Sequence, residues 1–364
     1  LSLGYSQVPH SPLTGYIPIV GIHGVSFLII LSSILIIKIF KKDSSKILLS
    51  IFLVSIWVGG QYLKGIKWTK PKGDPFSVSL IQGNFSQDKK WDKSMINTSI
   101  DTYEKLILDS ESSLIILPET SMPILFNDLP QNFIQNIKNH TFIKKSNIIL
   151  GAIESNKLGF YNSAFLIGTE NSQVYRKAHL VPFGEFIPFK KYLGYIYENW
   201  LQIPFNSLQR GPSTDAKKIW INDTSFAVNI CYEDVFGNEM VSRYDDKGGM
   251  PNLYVNISND AWYGKSIAAK QHLQISQARA IETSKMMVRA TNTGVTAFID
   301  TDGKVLKELP QFMSGTLTHT VQGYKGRTPY TFFTNTPILL LSLSILLLYF
   351  LRSLFNFYKI KSLK

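Results

Sequence analysis

Val228-Asn229-Ile230-Cys231-Tyr232-Glu233-Asp234-Val235-Phe236-Gly237, written VNICYEDVFG, carries the only cysteine of a 364-residue chain. It closes a longer apolar run, SFAVNIC from Ser225, that reads as a buried strand. A lone thiol at a strand end is either a small buried hydrophobe or a nucleophile presented by a rigid scaffold. The second reading needs partners, because a thiol attacks as its thiolate and requires a base nearby. Two other apolar runs end on suitable groups: Glu119 follows LIILP, and Lys177 ends QVYRK. A buried carboxylate can take the thiol proton. An ammonium, with the backbone N–H of Tyr232, can hold the oxyanion of an acyl transfer. Taken singly, Glu119 also reads as a helix-start acid and Lys177 as a solvated surface charge, and spacing along the chain does not show that the three meet.

Working outward, short apolar runs alternate with longer amphipathic ones. Strands are expected at Phe76–Ile81, Leu114–Leu117, Asn147–Ala152, Ser163–Gly168, Gln173–Lys177, Ser225–Cys231, Leu253–Ile257, Met287–Thr291, Thr296–Ile299 and Lys304–Lys307. Helices are expected at Ser94–Leu108, Gln131–Lys145, Asn238–Tyr244 and Lys270–Ser284. This alternation predicts an α/β domain of layered sheets and helices. Asp234 is expected to open the helix after the cysteine, as acids do at helix N-termini.

Three runs are apolar enough to cross a bilayer: about 17–37, 47–63 and 332–351. They divide the chain into an N-terminal membrane part (1–69), a large insert (70–329) and a C-terminal helix with a basic tail (330–364). Lys38, Lys41, Lys42 and Lys46 lie between the first two runs, and Arg352, Lys359, Lys361 and Lys364 follow the third. The positive-inside rule puts both clusters in the cytoplasm and the insert outside it. The net charge of +12 comes with no nucleic-acid-binding signature. The six histidines are scattered and no Cys/His spacing resembles a zinc site, so neither metal nor cofactor is expected.

LPET, YRKAHLVPFGEFIP and CYED together resemble the nitrilase superfamily, whose sites use a Glu, a Lys and a Cys in that chain order. GYSQ, QGN followed by KWD, SNDAWYG, QHLQISQARAIE and RATNTGVTAFID extend the likeness over nearly the whole chain, to the apolipoprotein N-acyltransferase branch. The resemblance implies a four-layer α-β-β-α sandwich inserted between transmembrane helices of the bacterial inner membrane, with the catalytic domain on the periplasmic face. It implies transfer of an acyl chain from a membrane phospholipid, through a thioester, to the α-amino group of an apolipoprotein's N-terminal diacylglyceryl-cysteine. By the same likeness Glu119 is the general base, Lys177 the oxyanion-stabilising group and Cys231 the nucleophile. Glu185 is a second essential acid that orients Lys177 or the amine, Tyr232 and Glu233 support the site, and Trp91, Pro188 and Trp262 bind substrate. The family has eight transmembrane helices; with three here and Leu1 in place of an initiator Met, its N-terminal membrane part is expected to be absent. The aromatic stretch Glu185–Gln209 reads as a lipid-facing lid or as an ordinary buried helix and loop. Two other classes remain open: a membrane-tethered amidase with water as acceptor, and a non-catalytic lipoprotein-binding scaffold that would tolerate loss of the triad.

Overall fold

The structure is a computed structural model that describes residues 2–41, 45–87, 93–168, 172–186, 188, 208–212, 218–221, 223–244 and 249–362. It divides into two compact units, Leu1–Ile66 with Thr328–Lys364, and Lys67–Arg327. In the first unit α1 (Ile17–Ile39) and α2 (Lys46–Leu63) are long and apolar enough to cross a membrane. A helix satisfies its own backbone, the condition for surviving in hydrocarbon. Side chains such as Ile34, Ile37, Ile51 and Val58 stay exposed on the protein surface, as lipid-facing groups should. Before α1, the 3-10 segment Pro12–Tyr16 packs on α2, and the Tyr16 hydroxyl donates to the Ile56 carbonyl at 2.9 Å.

The described residues of the second unit form two six-stranded sheets. The first contains β1 (Thr69–Gln82), β2 (Leu114–Ile116), β3 (Asn147–Asn156), β4 (Gly159–Gly168) and β5 (Gln173–Arg176); α3 (Lys93–Leu108) links β1 to β2, and α4 (Gln131–Lys144) links β2 to β3. The second contains β6 (Ile219–Ile221), β7 (Thr224–Ile230), β8 (Leu253–Ser258), β9 (Met287–Thr291), β10 (Thr296–Ile299) and β11 (Val305–Leu309). Here α5 (Gly237–Tyr244) links β7 to β8, and α6 (Ala268–Thr283) links β8 to β9. A last strand, β12 (Gly315–Gly326), returns to the first sheet beside β1, giving the order β12-β1-β2-β3-β4-β5 against β11-β10-β9-β8-β7-β6. Each sheet has three parallel strands at its heart, β1 to β3 and β7 to β9, flanked by antiparallel neighbours.

Period-two alternation sets the layers. Val78, Leu80, Leu114, Ile116, Ile149 and Leu166 point from the first sheet into a core shared with Phe226, Val228, Val255, Ile257 and Val288 of the second. The intervening residues Ile81, Ile115, Leu117, Ile148 and Leu150 face outward and are covered by Ile100, Tyr103 and Ile107 of α3 and Phe133 and Ile137 of α4, spaced three or four apart as one helix face requires. Helices cover the second sheet through α6, so the unit is an α/β sandwich of two facing sheets with helices on their outer sides. β6 and β12 were not expected from sequence: β6 is three residues long, and β12 alternates Thr316, Thr318 and Thr320 with Leu317, His319 and Val321, a weakly apolar edge pattern. β1 and β3 run longer than their apolar centres because hydrogen bonding continues past the buried residues.

Beyond β12 the chain re-enters the first unit as α7 (Pro329–Phe333) and α8 (Thr336–Ser362). The third apolar span therefore begins later than its composition suggests: Phe332 and Phe333 belong to α7, Thr334 turns left-handed with φ 49°, and the span covers Thr336–Asn356. Pro337 lies in the first turn of α8, where a missing N–H leaves no bond unmade.

Between the sheets, Gly151 on β3 is a close-approach point. A Cβ there would collide with the Pro118 carbonyl oxygen and sit 2.9 Å from Glu119 Cα. Gly151→Ala is expected to lower stability by about 1–3 kcal/mol, the usual range for overpacking, read as a fall in thermal midpoint by circular dichroism; an unchanged midpoint would contradict this packing.

Candidate active site

β7 is buried on both faces, and its last residue, Ile230, hands the chain to a 3-10 turn, Cys231–Val235. Cys231 itself is left-handed, with φ 52°. A non-glycine residue holds that conformation only where its surroundings impose it, and such sites cost about 1–3 kcal/mol. Glu233 supplies much of the hold. Its buried carboxylate accepts from the Ile230 N–H at 2.8 Å, the Tyr175 hydroxyl at 2.8 Å, the Ala178 N–H at 2.9 Å and the His179 N–H at 3.0 Å. It thus ties the cysteine turn to the segment that follows β5, where Lys177 lies.

Lys177 is buried at 1% side-chain exposure, with its ammonium 2.9 Å from Glu185 Oε1 and 3.3 Å from Glu119 Oε1. Asn162 on β4 donates to both carboxylates, at 2.7 Å to Glu119 and 3.1 Å to Glu185. The second oxygen of Glu119 accepts the Asn259 N–H at 2.8 Å, and that of Glu185 accepts the Val181 N–H at 2.8 Å. Burial disfavours the Lys177 ammonium, but the carboxylates of Glu119 and Glu185 outweigh it and hold its pKa well above the usual lysine value. The thiol moves the other way: burial first, then the negative charge of Glu119, push the Cys231 pKa well above that of a free thiol, and Lys177 offsets this only in part. The resting pair is therefore an ammonium and a protonated thiol, so any attack by this thiol would need a base beside it.

Glu119, Lys177, Glu185 and Cys231 open on one cavity of about 370 Å³. Its walls are largely apolar, with Ile153, Val181, Phe183, Leu208, Trp262 and Tyr263 among the described lining residues. Trp262 is 59% exposed. Pro188 is half-buried and is not among the described lining residues. Trp91, and residues 187 and 189–207 of the expected lid, lie outside the described residues. Tyr232 is half-buried, its ring edge-on to His179 and Phe236.

One expectation fails. Asp234 does not open α5, which begins at Gly237; its fully buried carboxylate instead accepts from His272 at 2.9 Å and Ser276 at 2.6 Å, both on α6. Sequence reading also missed Asn162, Asn259, Asp260 and His272. Asn259 and Asp260 sit in SNDAWYG and His272 in QHLQ, so the motifs were visible although the roles were not. The Cys231 thiol, an Asp260 oxygen and a His272 nitrogen lie within 4.8 Å of one another. Both ring nitrogens already face carboxylate oxygens, which makes this a charge network rather than a ready set of metal ligands.

Glu233→Gln is expected to keep one acceptor oxygen and set an amide NH2 against donor groups, leaving buried N–H groups unmatched. A loss of about 2–4 kcal/mol follows from the unpaired donors and the lost charge-assisted bonds; thermal unfolding and Cys231 alkylation rate measure it, and a parent-like midpoint would refute the clamp.

The carbon-nitrogen hydrolase family profile matches residues 77–330. The chain is 42% identical to the apolipoprotein N-acyltransferase of Nitrosomonas europaea over 93% of this chain and 67% of that protein. It is 36% identical to the apolipoprotein N-acyltransferase of Chromobacterium violaceum over 95% of this chain and 66% of that one. Among solved structures, it is similar at 19% identity and a TM-score of 0.48 to a CN-hydrolase superfamily protein from Xanthomonas campestris, covering 68% of this chain and 91% of that one. The chain spans about two thirds of the length of these curated relatives. Matched by that family profile over residues 77–330 and by these two curated relatives, the chain belongs to the carbon-nitrogen hydrolases and, among them, to the apolipoprotein N-acyltransferase family.

Proposed function

We propose that the protein moves an acyl chain from a membrane phospholipid, by way of Cys231, to the α-amino group of an apolipoprotein's N-terminal diacylglyceryl-cysteine. The observation that carries this is the buried Glu119–Lys177 pair opening, with the Cys231 thiol, on one apolar-walled cavity, in a chain whose described residues include three helices long and apolar enough to cross a membrane. Glu119 removes the thiol proton, and sulfur attacks the ester carbonyl. The Lys177 ammonium and the Tyr232 N–H hold the oxyanion. Collapse expels the glycerol oxygen of the lysophospholipid, which takes the proton back from Glu119 and leaves a thioester. The acceptor amine then attacks, Glu119 takes its proton, and the thiolate departs and is reprotonated.

Apolar walls favour this over amide hydrolysis, because they keep water from the thioester while the second substrate arrives. Glu185 holds Lys177 in place. By the positive-inside rule, the lysine clusters around the apolar spans support a periplasmic catalytic unit. Trp262, exposed and lining the cavity, is suited to meet acyl chains.

Membranes from cells expressing the gene from its own start codon, given phospholipid and no acceptor, are expected to yield protein heavier by one acyl group. Cys231→Ala should abolish the adduct. Glu119→Gln should slow its formation by about 10²–10⁴-fold, and Lys177→Met by about 10²–10³-fold. Intact protein mass spectrometry reads all three, and a parent protein that stays unmodified while releasing free fatty acid would replace acyl transfer with hydrolysis.

A further inference from the structure

On the face of the second sheet turned toward α6, Asn229, Asn256 and Arg289 lie in register across β7, β8 and β9. They border a buried charged cluster that the acyl-transfer chemistry leaves unused. His272 Nδ1 is 2.9 Å from Asp260 Oδ1; its Nε2 is 2.9 Å from Asp234 Oδ1 and 3.3 Å from the Cys231 carbonyl oxygen. Arg289 donates to Asp260 Oδ2 at 2.9 Å and to Asn256 Oδ1 at 2.6 Å. The side chains of Asp234, Asp260 and Arg289 are 0% exposed. Gly294 gives the cluster room, because a Cβ there would collide with Asp260 Oδ2.

The imidazole is charged on two grounds. Both ring nitrogens face oxygens that only accept, so both must carry hydrogen. Two buried carboxylates against one guanidinium also leave a negative charge, and among the described residues of the cluster the imidazole between them is the group placed to balance it, since buried charges are tolerable when paired. The geometry then joins two parts of the site. His272 holds the carbonyl of Cys231, the residue kept left-handed, and Asp260 adjoins Asn259, whose N–H holds Glu119.

We propose that His272 is a positioning residue, an imidazolium clamped between Asp234 and Asp260 that fixes the Cys231 turn against the Glu119 base. This rests on the acyl-transfer reading for what is positioned, not for the charged state. The groups facing His272 are Asp234 on the cysteine turn, the Cys231 thiol, Asp260 after β8 and Arg289 on β9. Burial and Arg289 press its pKa down, but the two aspartates prevail and raise it to about 9. A raised folded-state value gives stability that is full below about pH 6.5, the unfolded histidine value, and is lost as pH climbs through about 9.

Histidine-selective 15N labelling of the full chain reads the charge directly. Both ring nitrogens of His272 are expected to stay protonated at pH 7.5, and a neutral ring at that pH overturns the proposal. Asp234→Asn combined with His272→Asn removes one charge of each sign. The double variant is expected to fold, to lose the stability decline between pH 6.5 and 9, and to acylate Cys231 about 100-fold more slowly with the donor KM unchanged, the scale of an ångström-size misplacement. A folded double variant that acylates at the parent rate also overturns it. If the parent chain forms no acyl adduct, the acyl-transfer reading falls, and the ring-nitrogen spectrum still decides whether the clamp exists.

Discussion

An ammonium buried at 1% exposure has to be surrounded by opposite charge, and much of the site's geometry follows from that requirement at Lys177. Glu119 and Glu185 approach it from different parts of the chain, and Asn162 bridges the two acids so that neither oxygen is left to seek solvent. Burial first, and then one of the two carboxylates that balance Lys177, keep the nearby thiol protonated. The Glu119–Lys177 pair therefore bears on both the resting state of the thiol and the position of the acid beside it.

The participants come from both sheets. Glu119 follows β2, Lys177 follows β5 and Cys231 follows β7, so the cavity exists only while the apolar inner faces of the two sheets remain packed. Core substitutions far from the cavity should therefore be felt in it, because protein interiors transmit strain rather than absorb it. Glu233 adds a second bond across that interface by holding the β5 exit and the cysteine turn with one carboxylate.

What could be read in the sequence was whatever a residue does along its own strand or helix. SFAVNIC, LIILP and QVYRK announced strands with a thiol, an acid and a lysine at their ends, and the apolar spans announced helices long enough to cross a membrane. What could not be read was pairing at a distance. Asp234 looked like a helix-start acid because its true partners, His272 and Ser276, lie on a helix some forty residues away. β12 escaped because an edge strand with threonines on one side has little hydrophobic signal, although its partner β1 has a great deal. Thr334 moved the start of the last apolar helix past two phenylalanines that composition alone would have placed inside it.

β12 also bears on how the molecule is assembled. Val78 near the start of the unit pairs with His319 near its end, so the first sheet has an open edge beside β1 until almost the whole unit has been synthesised. Pairings so distant in sequence form late and slowly, and an unpaired strand edge is prone to join the wrong neighbour in the meantime. Biogenesis of this protein is therefore expected to be most vulnerable after β11 emerges and before β12 docks, a window in which a chaperone able to cover a strand edge would have the most effect.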